Sequence, residues 1–199
     1  VTGVGEVSDP FALLEPPDGH DDDDDDGAGG CDYNGHIVLN HGTTTLSPGV
    51  YCGSIKVNAG ATLKFEPGTY VLDGAGLSVA SGSTVSGSGV SFYMTENATP
   101  ATNVSLQGSV TLSAPTEGDQ AGILFHQSAD TTANINHNFT GGADMNIDGV
   151  LYFPNQDVNF SGGAGAAASA SMIIAKTVTL SGQSEFSDVS DSTASTSKY

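Results

Sequence analysis

The side chains best equipped for chemistry in this 199-residue chain are carboxylates and a few imidazoles. Asp144, Asp148 and Asp157 are close enough in sequence to approach one another across adjacent strands. A glycoside hydrolase needs carboxyl groups about 5–10 Å apart, one acting as acid and the other as base or nucleophile. No aromatic sugar platform flanks these three, so they read as solvated acids on turns. A lyase that works by β-elimination needs a strong base, commonly arginine. The chain has no arginine, and its four lysines, Lys56, Lys64, Lys176 and Lys198, are scattered. The histidines are His20, His36, His41, His126 and His137. His36 and His41 are five residues apart, which puts them on opposite faces of an ideal strand and argues against a shared metal. His126 is expected to end an apolar strand and to hydrogen-bond a neighbouring turn. There is no Gly-x-Ser-x-Gly elbow and no activated thiol. These patterns predict a protein that is not an enzyme and has no catalytic residue.

The run Asp21, Asp22, Asp23, Asp24, Asp25 and Asp26 invites a metal test. Counted from Asp22, it matches the start of an EF-hand loop, but the twelfth position is Tyr33 where that loop needs a bidentate Glu. The run therefore reads first as a solvated linker. Loosely bound Ca²⁺ that screens its self-repulsion is the ion-responsive alternative. No other cofactor is expected.

Charge narrows the partners. Twenty-three acids against four Lys give a net charge of −19. Such a chain repels nucleic acid, whose binding needs a basic face. Residues 1–32 hold eleven of the acids and no Lys. No apolar run approaches the roughly 20 residues of a membrane span. A chain that begins at Val is expected to be a processed product. The two cysteines, Cys31 and Cys52, sit in a Ser/Thr/Gly-rich, secreted-looking context and read as one disulfide.

The elements that would carry these groups repeat. Pro48-Gly49-Val50-Tyr51 returns nineteen residues later as Pro67-Gly68-Thr69-Tyr70. From Cys31 onward apolar residues alternate, as in Ile55/Val57, Leu63/Phe65, Leu77/Val79, Val110/Leu112 and Val178/Leu180. Turn glycines follow at 60, 82, 108, 141, 162 and 182, with spacings of 22, 26, 33, 21 and 20. A constant coil with two loop insertions fits, the long interval holding residues 115–119 and 130–132. A third family of strands is almost continuously apolar, for example Val90–Met94, Ile123–Phe125 and Val150–Phe153. Such strands predict a sheet covered on both faces, one of them by the N-terminal segment or by another chain. The Ala-rich stretch 163–170 contains two glycines, Gly163 and Gly165, and precedes a β-branched run, so it reads as loop then strand. The predicted fold is all-β: a single-stranded, right-handed parallel β-helix of six to seven coils over residues 31–187. An extended Pro-containing segment and poly-Asp/Gly linker precede it (1–30), and a Ser/Thr-rich tail follows (188–199).

Cys31-Asp32-Tyr33, Leu46–Cys52, Phe65–Val71, Ala121–Phe125 and Leu151–Asn155 resemble, in that order, the C-terminal region of TadG-like pilus-assembly proteins. Asp9-Pro10-Phe11 is similar to that family as well, so the resemblance spans most of residues 9–187. It implies a surface-exposed accessory of a Tad-type pilus system in a Gram-negative bacterium. The sequence lacks the membrane-anchoring half that the resemblance would imply, and the poly-Asp run is peculiar to it.

Together these readings predict an extracellular structural protein, a homo-oligomer or filament. Assembly would run through the coil ends or through an N-terminal segment in which Phe11, Leu13 and Leu14 dock on a neighbouring subunit. The alternatives are a carbohydrate-binding or carbohydrate-active β-helix and a Ca²⁺-dependent adhesin.

Overall fold

The computed structural model describes residues 11, 14–17, 30–141, 145–162 and 172–182. Among them there are sixteen strands and no helix. In chain order they are β1 (Ile37–Leu39), β2 (Gly42–Leu46), β3 (Gly49–Tyr51), β4 (Ile55–Val57), β5 (Ala61–Phe65), β6 (Gly68–Leu72), β7 (Leu77–Val79) and β8 (Thr84–Ser88). They continue as β9 (Val90–Met94), β10 (Val104–Leu106), β11 (Ser109–Ser113), β12 (Ile123–Gln127), β13 (Asn136–Gly141), β14 (Met145–Asp148), β15 (Val150–Gly162) and β16 (Met172–Gly182).

Every pairing is parallel and joins a strand to the one a full turn away, so the chain winds as a β-solenoid of about six turns with three faces. The first face stacks β1, β4, β7, β10, β13 and the later halves of β15 and β16. The second stacks β2, β5, β8, β11 and β14. The third stacks β3, β6, β9, β12 and the earlier halves of β15 and β16. Ladder offsets on the first face are 18, 22, 27, 33, 21 and 20 residues, reading Ile37–Ile55–Leu77–Val104, then Ser105–Asn138–Asn159, then Val158–Val178. Length added in the longer coils is confined to the connections between faces, around 95–103, 114–122 and 128–135.

Alternation makes this stacking productive. In β5, Ala61, Leu63 and Phe65 point inward while Lys64 faces water. Parallel in-register stacking then aligns like with like. Leu39, Val57, Val79, Leu106, Phe139, Phe160 and Leu180 form one unbroken column. A second column is aromatic. Tyr33 stacks on Tyr51 with ring centroids 4.3 Å apart, followed by Tyr51–Tyr70 at 5.8 Å, Tyr70–Phe92 at 5.4 Å, Phe92–Phe125 at 5.0 Å and Phe125–Phe153 at 6.0 Å.

The two Pro-Gly-x-Tyr copies occupy equivalent corners, because Leu46 pairs with Phe65 just before them. Gly68 has φ 137°, and a Cβ there would lie 2.4 Å from Pro48 Cγ, so the corner demands glycine. Each tyrosine hydroxyl is buried in the corner and donates to backbone: Tyr51 to Ser47 O, and Tyr70 to Leu46 O and Glu66 O. Beyond the corner the copies part company. Tyr51 pairs with Leu72, not with Tyr70, so the ladder offset there is 21 where the motif repeats at 19.

Cys31 and Cys52 are joined by a disulfide with Cα atoms 5.7 Å apart, which ties the entry of the chain to the end of β3. A bridge closing about 20 residues stabilises by roughly 3 kcal/mol. Urea unfolding of the reduced protein, or of a Cys31→Ser/Cys52→Ser variant, is therefore expected to show a loss of about 2–4 kcal/mol relative to the oxidised chain.

Candidate functional site

The outward side of the third face is unlike the other two. Its central column runs Val50, Val71, Tyr93, His126, Tyr152 and Ile174 in ladder register. Strand parity turns these residues away from the core that Phe92 and Phe125 occupy. An outward column should be wet, yet Tyr93, His126 and Tyr152 are each only 3% exposed. The N-terminal segment helps to cover them. Phe11 meets Tyr152 edge-on, with ring centroids 5.9 Å apart, and Leu14 N–H donates to Phe11 O at 2.9 Å to close a turn. Pro17 is buried further along the same face. The segment thus runs along the solenoid axis as a strap, from the coil of Tyr152 towards the coils of Val50 and Val71.

Beside Pro17 lies a groove of about 420 Å³. Val50, Thr69 and Val71 form its floor, the corner glycines Gly49, Gly68 and Gly89 one side, and the loop Pro115–Gln120 another. Its rim is acidic through Glu117 and Asp119, and none of its described lining residues is aromatic. The side-chain Oε1 of Gln120 is buried with no hydrogen-bond partner.

His126 meets one expectation and departs from another. It closes the apolar run Ile123–Phe125 at the next-to-last position of β12, but its Nδ1 has no hydrogen-bond partner among the described residues. Its ring is held edge-on between Tyr93 (4.9 Å) and Tyr152 (5.5 Å). Burial alone pushes its pKa down to about 4, so the imidazole is neutral at ordinary pH. The outward parity is responsible: the ring lands between two aromatic neighbours of its own column, not at a turn.

His137 is the polar feature that the sequence reading passed over. It points into the core, stacked on Phe153 at 4.1 Å. Its Nδ1 accepts the Val104 N–H at 3.1 Å, which leaves Nε2–H to donate to Gln127 Oε1 at 2.9 Å. Burial pushes its pKa down to about 3. Alternation with Phe139 in Asn136-His137-Asn138-Phe139 was the available signal that its side chain is internal. Nearby, Gln156 receives the Ile135 N–H and donates to Thr131 O, so a small buried polar cluster anchors the 128–135 insertion.

The remaining candidates do not converge. Asp148 ends β14 on the second face, and Asp157 opens the first-face part of β15, with the third-face residues between them. Asp157 accepts from Thr177 Oγ1. His36 Nδ1 accepts the Ser54 N–H at 3.1 Å. Asp144, His20, Leu13, the run Asp21–Asp26, the Ala-rich stretch 163–170 and the tail 188–199 lie outside the described residues. Among the described residues, no three of His, Cys, Asp and Glu gather in a way that could hold a metal ion. No helix among them is long and apolar enough to cross a membrane. Comparison with known proteins finds no matching family model, no matching curated protein and no matching solved structure.

Proposed function

We propose that this protein is a non-enzymatic, extracellular structural component of a bacterial surface appendage or pilus-assembly system, and that it assembles end to end through its terminal coils. The observation that carries this reading is the state of the last coil. Val178 and Leu180 continue the core columns of the first face, yet they are 44% and 52% exposed. β16 presents its outer edge with no further strand paired to it among the described residues. At the other end Ile37 and Leu39 begin the same columns and are only half-buried. A head-to-tail stack of copies would run each column from Leu180 of one copy onto Leu39 of the next. Such a contact is heterologous and propagates as a filament. The disulfide supports an oxidising compartment. The motif resemblance to TadG-like proteins supports a pilus system as the setting.

The wild type is expected to form filaments visible by negative-stain electron microscopy, and a Val178→Asp/Leu180→Asp variant is expected to form none. The monomer's unfolding free energy should shift by about 1 kcal/mol or less, since both side chains are already wet. A wild-type protein that sediments strictly as a monomer at high concentration would sink the reading.

A further inference from the structure

We infer that in such an end-to-end assembly the N-terminal strap is exchanged, so that Phe11, Leu14 and Pro17 of one copy lie on the third face of its neighbour. The inference rests on the end-to-end reading above and specifies the partner of the Tyr93–His126–Tyr152 column: a second copy of this chain. That column is outward by register yet buried, so it is built to be covered by an apolar segment. The strap supplies the cover through Phe11 on Tyr152 and through Pro17 in the groove floored by Val50 and Val71. None of these contacts depends on which copy the strap comes from.

What differs between the two arrangements is the connection. Within one copy its ends sit beside the same strand: Pro17 shares the groove with Val50, while Cys31 is bonded to Cys52, two residues beyond Val50. Fourteen links, from Pro17 to Cys31, close that short gap. Fully extended they reach about 46–50 Å. Six coils rise only about 29 Å. The connection is therefore long enough to leave the N-terminal coil of one copy and set the strap on the adjoining copy, with Pro17 at its far end. The composition favours the longer path. Six consecutive aspartates repel one another and favour large end-to-end separations over small ones. A tether is most effective when its natural length matches the span it must cross. Exchange of an identical element between copies is a low-cost route to association, because it adds no new interface to be optimised.

The test uses a photo-crosslinker on the strap. Phe11 is replaced by p-benzoylphenylalanine in unlabelled chain, which is mixed with a several-fold excess of ¹⁵N-labelled wild type. The two are refolded together with the Cys31–Cys52 bond intact, brought to assembly conditions and irradiated. Exchange predicts a covalent species of twice the chain mass, half light and half heavy, whose crosslink maps to the peptide containing Tyr152. Filaments with crosslinking only within the light chain overturn the exchange and leave end-to-end stacking standing. Absence of both filaments and mixed species overturns both. Mixed species without filaments remove the stacking, and with it the end-to-end exchange inferred here. Should the probe at position 11 impair folding, Leu14→p-benzoylphenylalanine reads out the same contact, with circular dichroism confirming the β-fold of either variant.

Discussion

Replacing Phe125 by alanine lowers the unfolding free energy by about 3–5 kcal/mol, the cost of deleting a fully buried aromatic ring and leaving a cavity. Phe125 is the hinge of the aromatic column. It stacks on Phe92 at 5.0 Å on one side and on Phe153 at 6.0 Å on the other, and it meets Phe139 edge-on at 6.1 Å. Its coil is also the one with the longest excursion, 33 residues between successive rungs of the first face. A solenoid coil contacts only its two neighbours, so a hole at one level cannot be refilled from elsewhere. Domains of this size have about 5–15 kcal/mol to lose, so the variant forfeits a large share. Urea unfolding followed by circular dichroism measures it. A loss below about 1 kcal/mol would mean that the column is not a stability element.

The second large effect is with pH. His126 and His137 are both buried and neutral, with pKa values pushed down to about 4 and about 3 by burial. Unfolded, each would titrate near 6.5. Below that pH the unfolded chain binds protons that the folded chain refuses, so stability is complete above about pH 6.5 and falls as the pH drops towards the folded values. Each histidine approaches a slope of about 1.4 kcal/mol per pH unit once the pH is below its unfolded pKa, which amounts to about 3 kcal/mol for the pair between pH 6.5 and 5. That window precedes the carboxylates, whose neutralisation relieves the self-repulsion of a −19 chain. His126→Phe is the cleaner variant, because His126 Nδ1 has no hydrogen-bond partner and a phenyl ring suits its tyrosine neighbours. Its slope in that window should be about half that of the wild type. His137→Phe would confound the reading by stripping Val104 N–H and Gln127 of partners. Equal slopes for wild type and His126→Phe, from urea midpoints at half-unit pH steps, would remove His126 from this account.

By itself the sequence determined the parts of this protein that are local and repeated. Alternation told inward from outward side chains strand by strand, as in Ile55-Lys56-Val57. The Pro-Gly-x-Tyr copies marked equivalent corners, and a Cβ would clash at both, with Asp32 at Gly49 and with Pro48 at Gly68. The turn-glycine spacings of 22, 26, 33, 21 and 20 came within one residue of the corresponding ladder offsets. The disulfide also followed from composition and context. Nearly continuous apolar strands showed that the third face must be covered.

Only the tertiary structure decided what covers it and which polar residues are buried. Phe11 is more than 140 residues from Tyr152, and no local pattern encodes a strap laid along the axis, since its contacts come from several coils at once. The ladder slip that pairs Tyr51 with Leu72 is invisible in the motif, because register belongs to the hydrogen bonds between coils and not to the spacing within them. His126 and His137 look alike as single histidines in β-rich sequence. One lies outside the solenoid wall and one inside it, and the difference is the parity of each residue in its strand combined with what packs above it.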